Sequence, residues 1–168
     1  GRVNAGRYGN TTQASRSPTN RTLLALTYNA GGVASGANAR VAWVAGNAQT
    51  GDTVRLEYSL NGGGSWSAIA TNVAATNETL VWNTTVHGSS GAAKWRVTYE
   101  AFPAISATNL GFFSVRNTNL AFYVNDASTS QDVYTSAIGA STNIASAASP
   151  SDSLVHLLAN HTVNGGDV

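Results

Sequence analysis

Ser59-Leu60-Asn61-Gly62-Gly63-Gly64-Ser65-Trp66 separates two runs in which apolar and polar residues alternate, and the fold class follows from how it is read. Upstream, Val54, Leu56, Tyr58 and Leu60 alternate with Arg55, Glu57 and Ser59, the period of a strand with one face on a core and the other in water. Downstream, Trp66, Ala68 and Ala70 continue the apolar face. The glycines between the two runs permit the positive φ that a tight reversal needs. The stretch predicts a β-hairpin.

The same alternation recurs on both sides of it. Leu24, Leu26 and Tyr28 place a strand over residues 22–28, Val41 and Trp43 another over 40–45, and Leu80 and Trp82 a short one over 79–83. Residues 94–100 alternate most regularly, with Trp95, Val97 and Tyr99 on one face and Lys94, Arg96, Thr98 and Glu100 on the other. Phe112, Phe113 and Val115 mark a last strand over 110–116. Seven short strands with turn signals between them predict an all-β chain, an antiparallel immunoglobulin-like β-sandwich over residues 22–117. All four Trp fall in or beside strands and are expected in its core.

Two segments flank this unit. Residues 1–21 form a polar N-terminal arm carrying Arg2, Arg7, Arg16 and Arg21. Residues 118–168 form a C-terminal extension of different texture: Phe122-Tyr123-Val124 reads as an extra strand, and a long Ser/Thr/Ala/Asn stretch follows it. Ser149-Pro150-Ser151-Asp152 then predicts a helix start, with Ser149 as N-cap and Pro150 at the first helical position. Leu154, Val155, Leu157 and Leu158 give that helix an apolar face. One strand and one short helix cannot enclose a core, so the extension must lean on the sheets or on a partner.

Composition narrows the function classes. Charged residues are 10% of the 168, against about 25% in ordinary soluble domains. A net charge of +1 is too small for a surface that tracks phosphates, so no nucleic-acid partner is expected. The absence of Cys removes disulfides and thiolate metal sites. No apolar run approaches the roughly 18 residues of a spanning helix, so no transmembrane segment is expected. Low charge also reduces repulsion between copies.

Thr50-Gly51-Asp52-Thr53-Val54-Arg55-Leu56-Glu57-Tyr58-Ser59 and Lys94-Trp95-Arg96-Val97 resemble the immunoglobulin-like or fibronectin III-like modules of large secreted bacterial surface proteins. Phe122-Tyr123-Val124-Asn125-Asp126, Asp132-Val133-Tyr134, Ser149-Pro150-Ser151 and Gly166-Asp167-Val168 resemble the entry segment of right-handed parallel β-helix proteins. That second resemblance implies that any lyase or hydrolase site lies on coils after Gly166-Asp167-Val168, so none of these residues is expected to be catalytic. Residues 59–66 also resemble the Ser-x-Asp-x-Gly-x-Thr-Trp box of sialidases, with Asn61 at the Asp position and Ser65 at the Thr position. In that family the box is a hairpin element.

Candidate chemistry is sparse. His156 and His161 lie five apart, off the i, i+4 spacing of a helical zinc pair, and His87 falls in a turn. Asp126 and Asp132, with Ser128 and Ser130 between them, offer oxygens to a Ca²⁺, but without EF-hand spacing they read as turn formers, and no cofactor is expected. Glu57 and Glu100 read as members of a cross-strand charge ladder with Arg55 and Arg96 rather than as a hydrolytic pair. Asn-x-Ser/Thr acceptors stand at Asn10, Asn20, Asn77, Asn83 and Asn160.

The expectation is a non-enzymatic structural protein, extracellular or on a cell surface: a subunit or module of a filament, sheath or adhesin that assembles with copies of itself through strand or arm contacts. Phe122, Tyr123, Val124, Leu154, Leu157 and Leu158 are the expected assembly residues. The alternative is a carbohydrate-binding or spacer module from a secreted β-helix lyase or hydrolase. It would contact polysaccharide through Tyr8, Trp66 and Phe102.

Overall fold

The computed structural model describes residues 20–164 and 166–168. Tyr8 and Asn10 therefore lie outside the described residues. Among the described residues the fold is all-β apart from one α-helix and one 3₁₀ turn. Its strands are β1 (Thr22–Ala25), β2 (Val33–Ser35), β3 (Ala39–Gly46), β4 (Thr53–Ser59), β5 (Ser67–Ala74), β6 (Thr79–Trp82), β7 (Ser90–Tyr99), β8 (Ser106–Thr108) and β9 (Phe113–Arg116). A 3₁₀ turn at Ala75–Asn77 joins β5 to β6, and the helix α1 spans Leu154–Asn160.

The strands form two sheets. One has the order β1-β3-β6, the other β2-β9-β7-β4-β5 with β8 also paired to β7. All pairings are antiparallel except β2 with β9, which run parallel through Val33↔Ser114, Ala34↔Val115 and Ser35↔Arg116. The sequence reading expected antiparallel pairs throughout. β1 and β2 are separated by Gly31 and Gly32, both at positive φ, where the chain leaves one sheet and joins the other.

Both sheets feed one core. Ala25, Val41, Trp43 and Trp82 from the first sheet pack with Val54, Leu56, Trp95, Val97, Phe113 and Val115 from the second. The two deepest indoles also satisfy their N–H groups: Trp43 Nε1 donates to Ala75 O at 3.0 Å and Trp95 Nε1 to Thr27 O at 3.0 Å. Trp66 is the exception among the four Trp, half-buried at the start of β5.

The hairpin forms where it was read. Ser59, buried, turns its Oγ into the loop, accepting from Gly63 N at 2.8 Å and donating to Asn61 Oδ1 at 2.8 Å. Asn61 in turn bonds Ser65 twice, Oδ1 accepting from its N at 2.9 Å and Nδ2 donating to its Oγ at 3.0 Å. Gly62 and Gly63 take φ of 70° and 103°, values that side chains make costly. Gly62 N donates to Ala92 O at 2.8 Å, tying the turn to β7.

The extension differs from its expectation in two places. Residues 122–124 are not a ladder strand: Val124 makes a single parallel bridge with Ser151. The helix begins later than Ser149-Pro150 predicts. Ser153 is its N-cap, accepting from His156 N at 3.2 Å, while Ser149 bridges back to Ser146. Pro150 is buried and its carbonyl accepts from Ala140 N and Asn143 Nδ2, so a first helical turn there would lose those bonds.

Candidate functional site

The extension packs against one end of the sheets, the end that carries the 59–66 turn and the start of β7. Arg116, last residue of β9, reaches Asp167 with both terminal guanidinium nitrogens, Nη1 donating to Oδ1 at 2.8 Å and Nη2 to Oδ2. The Asp167 side chain is 1% exposed, and Leu120 N and Asn164 N also donate to it. The Arg116 hydrogen bonds hold this carboxyl far below the usual carboxylate range. Thr162 adds a second attachment, its Oγ1 accepting from Gly32 N at 3.0 Å and its carbonyl from Ser114 Oγ at 3.3 Å.

His161 forms the third. Its ring stacks on Phe112 with centroids 5.2 Å apart, tilts against Phe122 at 5.6 Å, and its Nδ1 lies 2.7 Å from Gly91 O. Gly91 leaves room for this: a Cβ there would stand 2.3 Å from Phe122. Beside the contact is a cleft of about 510 Å³ lined by Asn29, Gly31, Phe112, Leu158 and Asn160 among others. The Asn29 amide is fully engaged, donating to Ala25 O and Leu26 O and accepting from Leu110 N.

Around residues 120–125 the backbone is organised in parallel register. Val168 N donates to Leu120 O at 3.0 Å and Phe122 N to Val168 O at 2.8 Å, so Val168 runs parallel beside this segment along one edge. Ser151 occupies the other edge, its N donating to Tyr123 O and its carbonyl accepting from Asn125 N. The next pair on the Val168 side is Phe122 C=O and Val124 N–H. Neither has a backbone partner among the described residues.

No family model, curated protein or solved structure matches the chain.

Of the residues expected at an assembly surface, Phe122 and Tyr123 are half-buried and Leu157 is buried at the junction, whereas Val124, Leu154 and Leu158 are 43%, 60% and 57% exposed. Val133, Tyr134, Ile138 and Val155 add exposed apolar area in the same extension. Of the two described residues expected to contact glycan, Trp66 carries the Arg96 guanidinium 4.3 Å over its ring and Phe102 that of Arg21 at 4.5 Å. They stand at opposite ends of β4, because Trp66 precedes the Tyr58↔Ser67 pair and Phe102 follows Glu100, whose N donates to Thr53 O. The structure does not bring them together.

The carboxylates separate likewise. Glu57 faces Arg96 across the β4–β7 ladder with Nε to Oε2 at 2.7 Å, and Arg55 Nε lies 3.3 Å away, the ladder the sequence predicted. Glu100 departs from it, accepting instead from Thr53 Oγ1 at 2.6 Å and Asn72 N at 3.1 Å, bonds that lower its pKa. Asp126 accepts from Ser128 N at 2.6 Å within its own turn, and Asp132 accepts from Asn125 Nδ2 at 2.8 Å across the loop between them.

His156 meets Asp152 and Ser153 through the same nitrogen, Nδ1. A serine relay needs the hydroxyl on Nε2 and the carboxylate on Nδ1, so this trio serves the helix N-terminus. His87 Nδ1 sits 2.9 Å from the Tyr58 hydroxyl, and burial pushes its pKa down. Among the glycosylation candidates Asn20, Asn77 and Asn83 are exposed, while Asn160 donates its amide to Ser141 O at 2.9 Å.

Proposed function

We propose that this chain is a non-enzymatic, extracellular structural module that assembles with copies of itself into a surface filament, sheath or adhesin. One observation carries the reading: the extension leaves Val124, Leu154 and Leu158 uncovered, with Val133, Tyr134 and Val155 exposed in the same segment. Exposed apolar side chains grouped on one part of a surface mark interaction sites. The low charge of the whole chain reduces the repulsion such packing must overcome.

An immunoglobulin-like sandwich is the framework this reading assumes. Supporting it, β1-β3-β6 and β9-β7-β4 follow the A-B-E and G-F-C neighbourhoods of that architecture. The glycan-binding alternative has weaker support, since the faces of Trp66 and Phe102 are each shared with an arginine.

The test is electron microscopy of the purified chain, with sedimentation velocity on the same material across a concentration series. Linear polymers growing with concentration are the expected result. Monodisperse particles at every concentration would refute the reading, and glycan-array binding of that monomer would establish the alternative.

A further inference from the structure

The cleft beside His161 takes no part in the assembly reading except at Leu158. Its volume of about 510 Å³ falls within the roughly 300–1,000 Å³ of sites that hold small molecules. One wall is the crossing from β1 to β2 at Asn29 and Gly31, with Gly111 and Phe112 beside it, and the other is the end of α1 with the residues that follow, as far as Val163. Glycine lets the main chain close in: a Cβ on Gly31 would stand 3.1 Å from Thr162 Oγ1, and one on Gly111 2.9 Å from Asn29 O. None of the residues lining the cleft is Asp, Glu, Lys or Arg.

The lining is rich in acceptors that lack donors. The carbonyls of Leu158, Ala159 and Asn160 are left over where α1 ends, and no group among the described residues donates to them. Asn160 commits its Nδ2 to Ser141 O, which leaves Oδ1 to accept. His161 is 6% exposed, and its Nε2 is buried with no partner among the described residues. Gly91 O can only accept, so its contact with Nδ1 places the proton of the neutral ring there and leaves a lone pair on Nε2. Thr162 supplies the hydroxyl of the lining, its oxygen accepting from Gly32 N and its proton uncommitted. Half-buried Phe112 and exposed Leu158 add apolar surface.

We propose that this cleft is a binding site for a neutral saccharide. Sugar hydroxyls donate to the helix-end carbonyls, to Asn160 Oδ1 and to His161 Nε2, the Thr162 hydroxyl donates to a sugar oxygen, and a C–H face of the ring covers Phe112 and Leu158. Acceptors that the fold leaves unpaired thereby gain donors, as buried polar atoms require. Anions fit poorly, because the carbonyl end of a helix carries partial negative charge and no cationic side chain lines the cleft to answer a carboxylate or phosphate. A wholly apolar ligand would cover the carbonyls and the imidazole nitrogen without satisfying them. The site is separate from Trp66 and Phe102, neither of which lines it, and it does not rest on self-assembly.

The experiment titrates the isotope-labelled full chain, dilute enough to stay unassembled, with cellobiose, maltose and diacetylchitobiose while amide chemical shifts are followed. At least one of these sugars is expected to move the amides of Gly31, Gly111, Ala159, Asn160 and Thr162 together, saturating in about the millimolar range. Val163→Trp sets a larger side chain at an exposed lining position and should weaken that binding about tenfold or more. Val86→Trp, exposed and outside the lining, should leave it unchanged, and glucuronate and inorganic phosphate should move none of these amides. No shift with any of the three sugars, shifts centred on Trp66 or Phe102, or shifts that Val163→Trp leaves intact would overturn the site. So would the same amides answering sodium or potassium chloride but no sugar, the mark of a cation site. Each of those outcomes leaves the assembly reading standing, since that is decided by whether copies polymerise.

Discussion

Residues 22–117 and residues 118–168 are held together by different means. In the first region large apolar side chains from two sheets close on each other, and hydrogen bonds mostly complete what packing has set. In the second, few large side chains are buried, Leu120 and Leu157 among them, and polar side chains do much of the organising. Asn125 Nδ2 bonds Asp132 and Ala137 O, Asn143 Nδ2 bonds Pro150 O, and Asn160 Nδ2 bonds Ser141 O. Nine of the extension's larger apolar side chains remain exposed among the described residues. Each net hydrogen bond contributes only about 1 kcal/mol. The comparison teaches that the extension depends on the sheets beneath it while the sheets do not depend on the extension.

The largest effect should come from breaking the supporting region. Trp95 is fully buried and its Nε1 is bonded to Thr27 O, so Trp95→Ala removes packing and orphans a carbonyl, at a cost of about 3–5 kcal/mol. Denaturant unfolding should show both regions lost together at a lower midpoint. An extension whose amides stay protected from exchange while β4 and β7 open would reverse the dependence argued above.

The converse experiment cuts the attachment. Arg116→Ala leaves the Asp167 carboxylate buried without its partner, a change costing about 3–5 kcal/mol where it acts. Exchange protection should vanish at Phe122 and Val168 and persist through β4 and β7. The same pair sets an acid limit. Because the folded pKa of Asp167 is depressed, its contribution is complete above the unfolded carboxylate value of about 3.9 and is lost as pH falls through the lower folded value. Attachment should therefore survive mild acid in the parent chain, and Arg116→Ala should abolish that pH dependence. Equal loss of protection in both regions would mean they unfold as one unit.

These two sites differ in how far a reader of the sequence could have found them. Trp95 announces itself by alternation over 94–100. At β1 the alternation of Leu24 and Leu26 marks the outer face instead, since both are exposed at 58% and 47% while Ala25 is buried. β2 and β8 are three residues long, too short to display a period. They pair because β9 and β7 offer edges, which is a tertiary fact. The Arg116–Asp167 pair spans 51 residues and no local pattern connects its members. Asn109 is similar: buried, it accepts from Trp95 N and donates to Tyr28 O and Gly111 O, yet in the sequence it is one more Asn before a strand. At the candidate edge the names Phe122, Tyr123 and Val124 were legible from hydrophobicity. Which of their main-chain groups pair was not, because that depends on where Val168 and Ser151 come to lie.

A smaller effect sharpens the comparison inside the supporting region. Ser59→Ala removes the hydroxyl that accepts from Gly63 N and Asn61 N and donates to Asn61, with an expected cost of about 1–3 kcal/mol. The turn also touches the extension, since a Cβ on Gly62 would stand 2.8 Å from Ile144. Thermal unfolding of Ser59→Ala should drop for the sheets, with faster exchange in both the 59–66 turn and the residues about Ile144. Loosening confined to the turn would show that the extension does not rest on it.

The smallest effect on stability belongs to Leu154 and Leu158. Both are more than half exposed at 60% and 57%, and they flank Leu157, which is 5% exposed and packs inward. The three share a helix of seven residues, so a change at the outer two alters neither its cap at Ser153 nor its buried contact. The Leu154→Ser, Leu158→Ser pair should keep monomer stability within about 0.5 kcal/mol per site, the range of surface substitutions. If these side chains are covered only when copies meet, the same pair must weaken association while leaving the denaturation midpoint of dilute protein in place. A midpoint that falls sharply instead would place Leu154 and Leu158 in the extension's own packing, and the contrast between a self-sufficient sheet region and an unfinished extension would lose its main support.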